Sequence, residues 1–285
     1  MNLSLESRVA LVFGAGAAEA GPGNGAAIAI RMAAQGALVF AADRDIEAAR
    51  RTQQLVQQAG GHCEVVEADV CEEASIQRAV QIAQAVNGAI DILVNNVGVV
   101  MHGGPEELSV EDWDRSFALN TRSAFLAFKH VLPLMSQAGR GAIVQVSSIA
   151  GARAGVPAHC AYTASKAALN ALGMSVAMQY AARGIRCNNI LLGMMDTALV
   201  RQQLAVAHPQ GLEHLLATRN AICPTGAMGR PWDAADAAVF LASDSARYIN
   251  GTDIFVDGGM HNQVNAPIPV AESLRNRLGV APQQA

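Results

Sequence analysis

Seven short apolar runs, spaced by stretches of helical character, restrict this chain to very few folds. Residues 8–13 (RVALVF), 37–42, 63–68, 90–95, 142–147, 185–191 and 253–256 read as strands. Between them, 26–35, 46–59, 72–86, a long stretch from about 111 to 135, and 158–182 read as helices. Strands alternating with helices of this length form βαβ units around a parallel sheet. Such a sheet is covered on both faces, so its strands are apolar nearly throughout instead of alternating. No Pro/Gly/Ser-rich linker divides the chain and no internal repeat occurs. The pattern predicts one doubly wound, mainly parallel α/β domain over residues 1–261, with helices on both faces of about seven strands. Residues 196–230 interrupt the alternation with a mixed helical stretch, and 262–285 follow the last strand as a tail with three prolines.

Composition narrows the partners. Charged residues are 15% of the chain, against about 25% in an average domain. So lean a surface, with 51% hydrophobic residues, predicts burial against other subunits. A net charge of −4 without any basic cluster argues against nucleic-acid binding. The five cysteines (Cys63, Cys71, Cys160, Cys187, Cys223) are odd in number and form no Cys-x-x-Cys pair, as expected of reduced thiols in the cytoplasm. The seven histidines show no metal-ligand spacing. No signal-peptide pattern and no apolar run long enough to cross a bilayer is found, so a soluble cytoplasmic protein without membrane partner is expected.

The first strand-to-helix turn carries Gly14-Ala-Gly16 and then Gly21-Pro-Gly23-Asn24-Gly25. Glycines there let the backbone turn tightly and approach a pyrophosphate at the positive end of a helix. A Gly-Lys-Ser/Thr phosphate loop is excluded, because this turn has no lysine. Asp43 ends the second strand about twenty residues on, where a carboxylate accepts hydrogen bonds from the ribose hydroxyls of NAD and repels the 2′-phosphate of NADP. It could equally cap the next helix, and the adjacent Arg44 could tolerate a phosphate. Glu19, in place of a basic residue in the glycine loop, leans toward NAD.

The chain has only two lysines, and one of them, Lys166, lies four positions after Tyr162. On a helix these side chains share a face. A neighbouring cation stabilises a phenolate, so Tyr162 becomes a candidate proton donor and acceptor near neutral pH. A helix-surface pair without chemistry is the alternative.

Together these residues resemble the short-chain dehydrogenase/reductase family from Arg8 to about Met260. Asp69-Val70 looks like its adenine contact. Asn95-Asn96-Val97-Gly98 resembles its Asn-Asn-Ala-Gly motif, and Asn120 in Ala-Leu-Asn-Thr-Arg matches its catalytic asparagine. Ser147-Ser148, Tyr162-Thr-Ala-Ser-Lys166, Gly229-Arg-Pro and Val256-Asp-Gly-Gly259 complete the set. The resemblance implies a single-domain Rossmann fold and a nicotinamide cofactor held by Gly14, Gly23, Asn24, Gly25, Asp43, Asp69, Val70, Asn96, Gly98, Tyr162, Lys166, the backbone of Met195 and the side chain of Thr197.

Three departures stand out. Phe13 replaces the usual threonine, and eight residues instead of three separate Gly14 from Gly23. The long loop is similar to a family subset with a Gly-Pro-x-Gly-Asn-Gly loop, although this chain reads Gly-Pro-Gly-Asn-Gly; the contacts of residues 15–22 stay unassigned. The usual Pro-Gly after the sixth strand reads Leu192-Gly193. Ser148 lies fourteen residues before Tyr162, one more than is commonest.

The expected chemistry is hydride transfer between the nicotinamide and a carbon bearing oxygen. Tyr162 takes the alcohol proton, Lys166 lowers the phenol pKa and binds the nicotinamide ribose, and Ser148 orients the substrate oxygen. By resemblance, Asn120 holds a water linking Lys166 to solvent. No metal is required. The pocket is expected from residues 99–104, 150–160 and 194–219. Val99, Val100, Met101, Val156, Met194, Met195 and Leu199 would make it mostly apolar, with His102, Arg153 and His159 as polar anchors. This favours an apolar cyclic, aromatic or steroid-like secondary alcohol or ketone over a sugar or acyl carrier. A 3-oxoacyl-thioester reductase of the same family, a catalytically silent NAD-sensing Rossmann protein and a sugar-nucleotide epimerase are the other readings. The resemblance also implies a homotetramer.

Overall fold

The structure is a computed structural model and describes residues 3–153, 158–207 and 211–263. Its centre is β1 (Val9–Phe13), buried at every position. Val9, Leu11 and Phe13 point into one core and Ala10 and Val12 into the other, so an unbroken apolar run serves both faces. The same double burial shapes β2 (Leu38–Asp43), β4 (Ile92–Asn95), β5 (Gly141–Ser148) and β6 (Ile185–Leu192). With β3 (His62–Glu67) and β7 (Asp253–Val256) they form a seven-stranded parallel sheet in the order β3-β2-β1-β4-β5-β6-β7. The chain runs outward from β1 to β3, then returns to place β4 on the other side of β1. That reversal opens a crevice at the carboxyl ends of β1 and β4, the usual ligand site of such sheets.

On one face lie α1 (Asn24–Ala34), α2 (Ile46–Gln58) and α9 (Pro231–Ala242); on the other lie α3 (Glu73–Asn87), α5 (Ser123–Ala138) and α6 (Cys160–Tyr180). The sequence pattern does not single out α9. It buries Pro231, Ala234, Ala235, Ala238, Val239, Leu241 and Ala242, so no clean amphipathic period marks it. Its start is nonetheless encoded: proline at the first turn, and Asp233 accepting from the Arg230 N–H at 2.6 Å.

The long helix expected from about 111 to 135 is in fact two, α4 (Val110–Phe117) and α5, joined by a π-helical turn at Ala118–Arg122. The mixed stretch after β6 resolves into α7 (Ala198–Ala207) and α8 (Leu212–Ile222). Val156 and residues 264–285 of the expected tail lie outside the described residues.

Candidate active site

The site residues expected from sequence follow the carboxyl ends of the strands and the start of α6: one set around α1, β2 and β3, one around β4, β5 and α6, and Met195 and Thr197 after β6. The first group surrounds the start of α1. Gly14 leaves β1 at φ +74°, and its carbonyl accepts from Asn96 Nδ2 at 2.8 Å. Gly25 packs against that carbonyl so closely that a Cβ would collide with it. Gly23 is different: a Cβ there would meet nothing within 4 Å. Gly23 also begins α1 with no side-chain cap, so no side chain of the cap residue takes up the first N–H groups of the helix. Asn24 adds a buried Oδ1 with no partner. An uncapped helix start and a glycine cradle with room for a ligand fit a pyrophosphate, and the orphaned Asn24 Oδ1 fits a hydroxyl donor of a nucleotide.

The first part of the lengthened glycine loop is tied to α2. Ala15 and Ala17 are buried, and α2 holds their carbonyls: Thr52 Oγ1 donates to Ala15 at 2.6 Å and Arg51 Nε to Ala17 at 2.8 Å. The Ala17 N–H donates back to the Ala48 carbonyl at 3.0 Å. The extra residues form a small turn, closed by Gly21 N–H to the Ala18 carbonyl at 3.0 Å, with Glu19 and Ala20 exposed at its tip. Nothing in the local sequence announces Arg51 or Thr52, because their partners lie more than thirty positions away.

Asp43 ends β2 half-buried. Its Oδ2 accepts from the Gly16 N–H at 2.8 Å and its Oδ1 from the Asp45 N–H at 3.1 Å. The cap of α2 is Asp45, which leaves Asp43 tying the glycine loop to the second strand. Arg44 is exposed. Asp69 uses Oδ1 to accept from the Cys71 N–H at 2.8 Å, while Val70 is buried beside it.

The second group is the polar floor under β4, β5 and α6. Ser148 ends β5 and starts a short helical turn, Ile149–Gly151. Gly151 packs so tightly on the α6 backbone at Lys166 and Ala167 that a Cβ would overlap it. Tyr162 and Lys166 stand one turn apart on α6, with Nζ 5.9 Å from the phenol ring centroid. Lys166 is 3% exposed, pairs with no carboxylate among the described residues, and donates to the Val146 carbonyl at 2.9 Å. Burial lowers its ammonium from 10.5 to about 8. Burial raises the Tyr162 phenol, and a hydrogen bond with Ser148 pulls it back only in part. Ser148 is thus the side chain whose hydrogen bond pulls the phenol down, with the Lys166 ammonium 5.9 Å from the ring centroid.

Asn120, 1% exposed, occupies the π-helical turn and grips the strand-end loop with both ends of its amide. Its Oδ1 accepts from the Val99 N–H at 2.8 Å, and its Nδ2 donates to the Val99 carbonyl at 3.0 Å. Nδ2 also donates to Ser116 Oγ at 3.2 Å and Ser165 Oγ at 2.9 Å. A Cβ on Gly98 would lie 3.0 Å from Lys166 Nζ and 3.5 Å from Asn120 Oδ1, so the glycine keeps open the space between them. Ser116 and Ser165 complete this network; no spacing rule would have picked them out.

Beyond β6, Met195 pairs with Gly229 in an isolated parallel bridge. The Gly229 N–H donates to Met194 at 3.0 Å, and the Asp196 N–H to Gly229 at 2.7 Å. In such a bridge the intervening Met195 N–H points away from its partner strand. Thr197 accepts from the Val200 N–H at 3.2 Å at the start of α7. Among the expected polar anchors, His102 and Arg153 are exposed and His159 is half-buried against Tyr162. Of the expected apolar lining, Met195 is buried, while Val100 and Leu199 are exposed.

A doubly wound sheet with a nucleotide cradle at its reversal point, beside a serine, a tyrosine and a buried lysine, defines a nucleotide-dependent oxidoreductase class. A family model described as enoyl-(acyl carrier protein) reductase matches residues 16–261. The chain belongs to the short-chain dehydrogenase/reductase family. It is 39% identical over 259 residues to the D-threitol dehydrogenase of Mycolicibacterium smegmatis, covering 90% of this chain and 94% of that one. A solved Burkholderia xenovorans structure, described as a short-chain dehydrogenase/reductase, superposes with a TM-score of 0.88 at 44% identity, over 92% of this chain and 99% of that one. The structure of a 7α-hydroxysteroid dehydrogenase complexed with NADH and 7-oxo glycochenodeoxycholic acid superposes with a TM-score of 0.80 at 29% identity, over 93% and 98%. Members of this family bind nicotinamide cofactors.

Proposed function

We propose that the protein interconverts a secondary alcohol and a ketone with NAD, using Ser148, Tyr162, Lys166 and Asn120. The observation that carries this reading is the buried Lys166 one helical turn from Tyr162, whose phenol is hydrogen-bonded to Ser148 at the end of β5. When bound, the nicotinamide accepts or supplies the hydride at the carbon that bears the oxygen. Gly14, Gly23, Asn24 and Gly25 receive its pyrophosphate; Asp43, Asp69 and Val70 receive the adenosine end; Asn96, Gly98, Met195 and Thr197 flank the nicotinamide end.

The chain's own work is proton handling and positioning. In oxidation the Tyr162 oxygen removes the hydroxyl proton as the carbon loses hydride; in reduction it returns that proton to the oxygen. Ser148 fixes the reacting oxygen beside the phenol. Lys166, with little water around it, is a point charge whose effect on a developing phenolate is strong. Asn120 holds the loop that starts at Val99 and maintains the space beside Lys166 through which its proton exchanges with solvent.

Asp43 favours NAD over NADP, since a 2′-phosphate would meet its carboxylate. The apolar side chains after β4 and β6 favour an alcohol or ketone with an apolar body, cyclic, aromatic or steroid-like. The domain spans residues 1–261 and is followed by a tail. Apolar side chains exposed on α5 and α6 (Phe125 at 51%, Met178 at 66%) support a homotetramer built through these helices. The five free cysteines support a cytoplasmic setting, and no described helix is long and apolar enough to cross a membrane.

The test is absorbance of the reduced nicotinamide with a panel of secondary alcohols and ketones, offered with NAD and NADP in parallel. Turnover with NAD on apolar secondary alcohols is expected. The matching family model is described as an enoyl-(acyl carrier protein) reductase, so acyl thioesters in both the enoyl and the 3-oxoacyl form belong in the same panel. No turnover of any member with either cofactor would remove the proposal.

A further inference from the structure

We infer that His159 reads a second hydroxyl on the substrate, so that the enzyme prefers diols and hydroxyketones over simple alcohols. The inference rests on the dehydrogenase reading above. His159 immediately precedes α6, and its ring lies edge-on to the Tyr162 ring, with centroids 5.6 Å apart and planes at 75°. Its backbone is held by a parallel bridge to Gly103, in which Gly103 N–H donates to Ala158 at 2.8 Å and Cys160 N–H to Gly103 at 3.4 Å. Nδ1 and the Thr163 Oγ1 lie 3.2 Å apart and share a hydrogen bond, which sets the ring's rotation. Nε2 makes no hydrogen bond among the described residues.

A polar atom fixed in this way beside the proton-transfer residue selects by chemistry. If Thr163 donates to Nδ1, Nε2 carries the proton and is a donor; if Nδ1 donates to Thr163, Nε2 is an acceptor. A hydroxyl pairs with either tautomer, whereas a carbonyl or carboxylate pairs with only one. The other basic side chains expected near the pocket are exposed: His102 faces solvent, and Arg153 spends Nε on the His261 carbonyl at 3.3 Å and Nη1 on the Ala152 carbonyl at 3.1 Å. With the two rings in edge contact, the proposal sets Nε2 against a hydroxyl one or two carbons from the reacting carbon. The apolar body of the substrate is unaffected, so an alicyclic or branched diol satisfies both demands.

The experiment compares cyclohexanol with trans-1,2-cyclohexanediol, and butan-2-ol with butane-2,3-diol, in wild type, His159→Phe and Thr163→Val, each with NAD and NADP. Phenylalanine keeps an edge-on ring against Tyr162 and removes both nitrogens. Wild type is expected to prefer the diol, and His159→Phe to lower kcat/KM for the diol roughly ten- to hundredfold more than for the mono-alcohol, the range for losing one hydrogen bond in a desolvated site. Thr163→Val, which frees the ring, is expected to weaken the preference in the same direction and provides the measurement if His159→Phe does not fold. Equal losses on both members of a pair, an unchanged ratio, or a wild type that prefers the mono-alcohol or a hydroxy acid would overturn the assignment. Wild-type inactivity on every alcohol and its ketone would instead defeat the dehydrogenase reading itself.

Discussion

The floor under β5 and α6 and the arm formed by α7 and α8 differ in their buried parts: the arm has directional bonds at its edges, Arg201 to Asp196 at 2.6 and 2.7 Å and the Met228 N–H to Asn220 Oδ1 at 2.9 Å, but its interior is apolar. The floor is fixed by directional contacts: four hydrogen bonds through the Asn120 amide, a lysine locked to a strand carbonyl, and a glycine turn pressed on the helix backbone. The arm rests on a small cluster, Leu216, Cys223 and Met228, with Met194, Leu204, Leu212 and Met260 packed around it. Several of its contacts are soft: Cys223 Sγ lies 3.8 Å from Met260 Sδ, and Arg219 reaches Met228 Sδ at 3.4 Å. Leu199 on α7 stays 54% exposed. Groups that move protons must keep their geometry to a fraction of an ångström, whereas groups that admit a substrate must yield to it. In the proposed reading, the proton-handling groups sit in the hydrogen-bonded floor and substrate choice falls to the apolar arm.

The largest test of that contrast is Tyr162→Phe. Removing the phenol oxygen is expected to lower turnover by about 10² to 10⁴, the range for a lost general acid–base, while nucleotide affinity measured by fluorescence titration holds within a few-fold. Normal turnover would show that the floor is only scaffolding. In the active protein, oxidation is expected to accelerate as pH rises, because the reacting form of a phenol raised by burial is its deprotonated one.

Next in size is the charge buried in the floor. Lys166 folds with a pKa near 8 against 10.5 in its ordinary environment. Between those values the unfolded chain binds more protons, so stability rises with pH; below 8 the buried charge costs its full penalty, of order 3 kcal/mol. Lys166→Met should abolish turnover yet raise the melting temperature at pH 7, and the gain should shrink as pH climbs through 8 toward 10.5. A variant melting lower than wild type at pH 7 would mean that the Val146 hydrogen bond outweighs the burial cost.

For the arm the expectation reverses. Leu216→Ala removes a buried side chain, a change worth about 2–5 kcal/mol in a continuous core. Here the loss should stay local: hydrogen exchange across α8 quickens and KM rises, while the global melting temperature moves little. A full-size drop in melting temperature would erase the distinction between floor and arm. The smallest effect is expected at Asp43, which borders both the nucleotide and the glycine loop. Asp43→Ser should narrow the preference for NAD over NADP in kcat/KM and cost about 1 kcal/mol through the lost bond from the Gly16 N–H. A wild type already favouring NADP would contradict the role given to this carboxylate.

Sequence legibility follows the same divide. The strands could be read because a parallel sheet buried on both faces needs unbroken apolar runs, and Tyr162, Lys166 and Ser148 could be read because helix pitch and strand ends bring them together. Helix α9 went unread since its alanines pack against α1 on one side and the sheet on the other, which removes the periodic signal. The π-helical turn at Asn120 was invisible for a different reason: it is one wide turn in an otherwise helical pattern, set by bonds to Val99 and Ser165 that lie far along the chain. The relation of Lys166 to Tyr162 was half legible. Spacing gave their neighbourhood, but the burial that controls both pKa values belongs to the tertiary fold.

The lengthened glycine loop has a practical consequence. Both of its roots are fastened, one by α2 through Arg51 and Thr52 and the other by the start of α1, and the tip at Glu19 and Ala20 closes on itself. A polypeptide spliced in at that tip would lengthen only a solvent-facing turn, and a chain cut there would keep both new ends tied down. The loop is thus a natural place to graft a reporter, or to divide the protein into two pieces that reassemble.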